Sequence, residues 1–142
     1  MKEKTRYFVY VLELSNGALY TGIARDVSER FRCHERGTAS RYTRSFPPVR
    51  IAGCWQVLGG RGAAMSVEAF IKGRSRAAKK RLLAQPGELL RAYRAHRANP
   101  ANPANPANRE RAGALMPPGV LDILPVATAA PQSRVDGPET SL

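Results

Sequence analysis

Five side chains stand out by type and spacing. Tyr10 and Tyr20 are ten residues apart, Arg30 lies ten further on, and His34 follows four later. Glu68 is the sole acidic residue between Glu35 and Glu88. An arginine offers a phosphate a planar fork that stays charged at any working pH. A single carboxylate can hold one hard divalent cation that keeps its waters and takes phosphate oxygens. Tyrosine and histidine can position a water and move its proton, although an ordinary tyrosine pKa of ~10 makes a weak base until a nearby cation lowers it. Together these groups supply what phosphodiester hydrolysis needs: an activated water, stabilisation of added negative charge, and help for the leaving oxygen. Singly, each has an ordinary structural use, because strand tyrosines fill sheet cores and a lone His, Arg or Glu is usually satisfied or solvated. Cys33, beside His34, raises a thiol nucleophile, but on a helix it points ~100° away from His34.

The elements that must position these groups are legible in outline. Tyr7 to Leu14 (YFVYVLEL) reads as a central strand, apolar on both faces. Ser15-Asn16-Gly17 turns the chain into a return strand, Ala18 to Ile23. Loop length decides which side chains meet. A two-residue loop puts Tyr10 and Tyr20 on opposite faces; a three-residue loop with a left-handed Gly17 pairs Leu12 with Tyr20 and puts both tyrosines on one face. Propensity does not choose between them. Asp26 caps a helix over 27–36, with Glu29 completing a capping-box pattern and Gly37 ending it. Val27, Arg30, Phe31 and His34 share one ~100° arc, so Arg30 and His34 are expected to point inward with the two apolar residues. Thr38 to Pro48 reads as a loop, and Val49 to Leu58 as a third strand. Three helices follow: Arg61 to Lys72, the basic run RAAKKRLLA capped by Ser75, and GELLRAYRAHRA.

Charge points to the partner class. Residues 1–97 carry 20 Lys+Arg against 7 Asp+Glu, a net +13, whereas residues 98–142 sum to −1. A field of that sign favours polyanions: nucleic acid first, then ribosomal RNA surfaces or anionic lipid. Arg41, Arg44, Lys72, Arg76, Lys79 and Lys80 are the candidate phosphate-tracking residues, the alternative being a solvated basic face. Composition changes at residue 98. NPANPANPAN, with Pro at every third position, sustains neither helix nor sheet. The expected organisation is one domain over 1–97 and a linker with a disordered, low-complexity tail over 98–142, whose removal should leave the fold nearly unchanged. No apolar run reaches the ~18–20 residues of a membrane span and the start shows no signal-peptide core. Two cysteines make no disulfide framework, so a cytoplasmic location is expected.

The ordered set resembles the GIY-YIG nuclease superfamily, in its small single-domain bacterial branch. Phe8-Val9-Tyr10 stands for the first signature element and Tyr20-Thr21-Gly22 for the second. Arg30 and His34 form the Arg-x3-His helix motif, Glu68 to Lys72 the downstream Glu-x2-Ile-Lys run, and RYTRSFPPVRI (Arg41 to Ile51) resembles the branch as well. Phe-Val replaces Gly-Ile in the first element, and no added DNA-recognition domain is visible. The resemblance implies an α+β fold with a small three-stranded, mostly antiparallel sheet flanked by helices. It places both tyrosines in one site, which selects the three-residue loop. It also implies a metal-dependent endonuclease acting on DNA, duplex or single-stranded, in repair or processing, with RNA as a further candidate. The implied catalytic set is Tyr10, Tyr20, Arg30, His34 and Glu68, with Glu68 holding one Mg2+ or Mn2+. The alternative is a nucleic-acid-binding module on the same fold with little turnover.

Overall fold

The computed structural model describes residues 6–101, 120 and 122–128. Strand β1 (Tyr7–Leu14) is flanked on one side by β2 (Leu19–Ala24) and on the other by β3 (Pro48–Leu58). A further strand, β4 (Asp122–Pro125), pairs with the outer edge of β3, giving an antiparallel sheet in the order β2-β1-β3-β4. β1 thus has strand partners on both edges, and its two apolar faces are each covered by a separate cluster. The hairpin has the three-residue loop. Leu12 pairs with Tyr20, Leu14 N–H donates to the Ala18 carbonyl at 2.9 Å, and Gly17 sits at φ 85°. That left-handed backbone is cheap for glycine, and Asn16 Oδ1 stabilises the turn by accepting from Ala18 N–H at 3.1 Å.

The two sheet faces carry separate clusters. On one, Tyr10, Leu12 and Leu14 pack under helix α1 (Val27–Arg36), against Val27, Phe31, Tyr20 and Ile51. On the other, Val9, Val11, Trp55 and Val57 meet α3 (Arg61–Lys72), α4 (Arg76–Ala84) and α5 (Leu89–Ala98). Val67, Phe70, Ile71, Leu82, Leu89 and Tyr93 fill that side. Trp55 is fully buried, and its indole N–H donates to the Pro86 carbonyl at 2.9 Å, so even the sheet's largest side chain leaves no polar atom unpaired.

Helix boundaries follow the capping residues. Asp26 accepts from Glu29 N–H at 3.0 Å, and Gly37, at φ 78°, closes α1. The reciprocal half of the capping box does not form: Glu29 turns outward to Arg32 at 3.0 Å and Arg36 at 3.6 Å. Charge attraction on the exposed face outcompetes a return to the Asp26 backbone. The expected loop between α1 and β3 contains a short helix, α2 (Arg41–Ser45), capped by Ser40 accepting from Thr43 N–H at 3.1 Å.

The sheet has four strands where three were expected, because of the tail. Ile123 is only 4% exposed and joins the cluster under α5. Val126 N–H donates to the Cys54 carbonyl at 2.9 Å. An apolar residue that completes a core and covers a sheet edge outweighs the proline-rich composition around it. So within the stretch expected to be linker and disordered tail, residues 122–125 are a strand. Residues 102–119, 121 and 129–142 lie outside the described residues.

Candidate active site

The α1 face of the sheet brings three of the five candidate side chains into contact. Tyr10 and Tyr20 project from neighbouring strands on the same face, and His34 descends on them from the third turn of α1. The Tyr10 hydroxyl lies 2.9 Å from His34 Nε2. The His34 ring sits edge-on to both phenols, with centroids 5.9 Å from Tyr10 and 5.0 Å from Tyr20. His34 is fully buried and Tyr10 is 2% exposed, whereas Tyr20 is half-buried at the rim. Gly22 lies across from Tyr10 in the β1–β2 register. A Cβ on Gly22 would come 2.5 Å from the Tyr10 hydroxyl oxygen, so the phenol occupies the volume that a side chain would need.

The charges of Arg30 and Glu68 both bear on the Tyr10 phenol, Arg30 the more strongly. Burial pushes the Tyr10 phenol up to about 12, against the opposing pull of a hydrogen bond from the Arg30 guanidinium, while Tyr20 and the Glu68 carboxylate also push it up. The expected inward placement of Arg30 needs correction, because the residue is exposed. Its position in the α1 arc is as expected. The long side chain runs along the cluster's rim, which keeps the charge hydrated while it reaches Tyr10. Glu68, on α3, has a side chain 19% exposed, with Oε2 3.3 Å from Lys72 Nζ. His34 is held below its ordinary 6.5, first by burial and then by the Arg30 charge.

Sequence reading missed Thr43. It is fully buried on α2, and its Oγ1 lies 2.8 Å from His34 Nδ1 and 2.9 Å from Ser40 Oγ. With the imidazole proton on Nδ1, His34 donates to Thr43 and Nε2 accepts from Tyr10; with it on Nε2, the direction reverses. Either way Thr43 fixes the ring plane. The S-x-x-T spacing of Ser40 and Thr43 announces the cap of α2 but not the contact with His34. Cys33 Sγ meets Glu29 at 3.8 Å and Arg36 at 3.6 Å, on the outer side of α1 and away from this cluster. Among the described residues no three His, Cys, Asp or Glu side chains gather as a metal cage.

A family model described as the GIY-YIG catalytic domain matches residues 6–81, just over half of the chain. The chain belongs to the GIY-YIG family. A UPF0213 protein of Aeromonas hydrophila is 40% identical over 83 residues, which is 58% of this chain and 60% of that relative's length. One from Vibrio cholerae is 37% identical over 78 residues, covering 55% of this chain and 77% of the relative. A UPF0213 protein from Bacillus halodurans, known from a solution NMR structure, is 32% identical and covers 60% of this chain and 93% of its own, with a TM-score of 0.36.

The matched segment of this GIY-YIG chain contains all five candidates and ends within α4. The expected basic residues fall in two places. Arg41 and Arg44 are exposed on α2, beside the site through Thr43. Arg76, Lys79 and Lys80 are on α4, the helix that covers the opposite face of the sheet through Leu82. Lys72 is paired with Glu68. The α2 arginines are therefore grouped with the tyrosine–histidine cluster, and the α4 set is not.

Proposed function

We propose that this chain is an endonuclease-type phosphodiester hydrolase acting on DNA with a divalent metal. The observation that carries the proposal is the buried contact of the Tyr10 hydroxyl with His34 Nε2 at 2.9 Å, beside the Tyr20 ring, with the charges of Arg30 and Glu68 near enough to bear on the same phenol. Arg30 offers the scissile phosphate a charged fork at the exposed rim of the buried cluster. Tyr10, Tyr20 and His34 position the attacking water and take its proton. His34 stays neutral near neutrality, so one ring nitrogen donates and the other accepts. Nδ1 is held by Thr43, which leaves Nε2 to exchange a proton with Tyr10.

Glu68 would hold the metal, and one mostly buried carboxylate suits a cation that retains most of its waters. When bound, Mg2+ or Mn2+ supplies neutralisation of phosphate charge. Arg41 and Arg44 extend the positive surface beside the site. A cytoplasmic enzyme of DNA repair or processing accords with Cys33 and Cys54 both being free thiols.

A second reading, a nucleic-acid-binding module with little turnover, is favoured by two features of the same site. The Tyr10 phenol at about 12 is a weak acid, and Lys72 competes for the Glu68 carboxylate. The deciding experiment is cleavage of duplex, single-stranded and flapped DNA, with an RNA strand alongside, in Mg2+ or Mn2+, using Glu68→Ala as control. The proposal expects metal-dependent cleavage lost in Glu68→Ala with binding retained. Tight, salt-dependent binding without cleavage of any substrate favours the module.

A further inference from the structure

A concave surface lies on the other side of the sheet, where α5 meets α3 and α4. Two adjoining grooves of about 470 and 520 Å3 open there and share Phe70, Arg74 and His96. Arg81 lines the first and Arg97 the second, so three guanidinium groups follow one continuous run. Glu88, on the first groove, is engaged by Arg91 at 3.4 Å. One wall of the groove, α5, lies beyond the residues matched to the GIY-YIG domain, and the other, from α3 and α4, lies within them on the side of the sheet away from Tyr10 and His34.

Two of the three arginines lie against aromatic rings. Arg74 Cζ lies 4.6 Å from the Phe70 ring centroid, and its Nε donates to the Phe70 carbonyl at 3.1 Å. Arg97 Cζ is 5.7 Å from the Tyr93 ring, with Nη1 directed to the Ser66 and Tyr93 hydroxyls at 3.4 and 3.3 Å. The His96 ring packs on Phe70 at 5.0 Å between centroids. Guanidinium planes fixed in this way offer surfaces for stacked bases and donors for phosphates, spaced along an open channel instead of gathered round one point. We propose that this groove binds a strand of nucleic acid, with successive phosphates on Arg81, Arg74 and Arg97. The inference goes beyond the active-site reading and does not need turnover, since a binding-only protein would use the groove in the same way.

The chain has two histidines, one in each place: His34 beside Tyr10 and His96 in the groove. Burial, then the charges of Arg74 and Arg97, hold His96 below its ordinary 6.5. A phosphate settling among those arginines offsets their charge and lets the His96 pKa rise. NMR titration of the two imidazoles, with a short oligothymidylate in EDTA, therefore reads the two surfaces separately. The proposal expects His96 to titrate higher with the strand bound. Arg81→Ala should weaken binding several-fold and reduce the salt slope by about 0.7, the loss of one single-strand phosphate contact. Ala95→Glu, an exposed change on the α5 wall, should also weaken binding while His34 stays where it was. Binding that leaves His96 unmoved overturns the proposal. So does an equal response to thymidine monophosphate or to polyglutamate, which would make the groove a general anion site. Cleavage is assayed separately, so its failure would leave this result standing.

Discussion

Replacing Gly22 with alanine tests the packing at the centre of the site. A glycine within a strand ordinarily costs about 0.5–1 kcal/mol relative to alanine, so the change would stabilise an unobstructed position. Here the new Cβ would come 2.5 Å from the Tyr10 hydroxyl and 2.7 Å from its Cζ. Ordinary contact begins at 3.4 Å, so the phenol must recede by 3.4 less 2.5, about 0.9 Å. It has little room to do so, being 2% exposed with His34 Nε2 at 2.9 Å. Overpacking of this kind costs about 1–3 kcal/mol. At roughly 4–8 °C per kcal/mol for a domain of this size, Tm should fall by about 4–24 °C. A displacement near 1 Å at the reacting groups should also slow cleavage by about 100-fold. Calorimetry and single-turnover cleavage read the two effects. In a Tyr10→Ala background the stability penalty should vanish, since the two sites share one volume. A Gly22→Ala protein that melts at or above the wild-type temperature and cleaves normally would refute this reasoning.

Thr43→Val should cost about 1–3 kcal/mol in chemical denaturation, because it strips a buried imidazole nitrogen of its partner, whereas Thr43→Ser should recover most of the loss. The folded-state pKa of His34 lies below its ordinary 6.5, so its contribution to stability is present above pH 6.5 and is lost as pH falls through the folded value. An NMR titration of His34 should show that depressed value, and Arg30→Ala should move it upward; a titration at or above 6.5 in the wild type contradicts the burial argument. Ile123→Ala should destabilise by about 2–5 kcal/mol, since Ile123 is 4% exposed against the core. An unchanged Tm would mean that β4 is dispensable.

Much of this architecture was legible because local chemistry and global packing agree. Asp26 and Gly37 bracket α1, and the two apolar faces of β1 required packing against both sides of the sheet. The arc shared by Val27, Arg30, Phe31 and His34 placed the motif on the correct side of its helix. The same arc misjudged Arg30, because helical phase sets where a side chain leaves the backbone and not where a long, charged one ends. Hairpin register was open on propensity alone, since two- and three-residue loops both suit Ser-Asn-Gly. β4 was hidden by its surroundings: a four-residue strand in a proline-rich stretch has no periodicity of its own, and only the edge of β3 gives it partners. Thr43 was hidden for a similar reason. Its partner, His34, is nine residues away and on another helix, so no spacing within either helix announces the contact.

The central claim is that the Tyr10 hydroxyl is where the chemistry happens, and the most direct test is single-turnover cleavage by Tyr10→Phe. That change removes one oxygen from a buried ring and leaves the packing of Leu12, Phe31 and His34 in place. Loss of a group that positions or deprotonates the attacking water should slow cleavage by about 100-fold or more. DNA affinity, measured in parallel without metal, should stay within about twofold, because the phenol is neutral and buried and neutralises no phosphate. Cleavage at the wild-type rate by Tyr10→Phe would contradict the account, since the groups gathered round that oxygen would then have no common target.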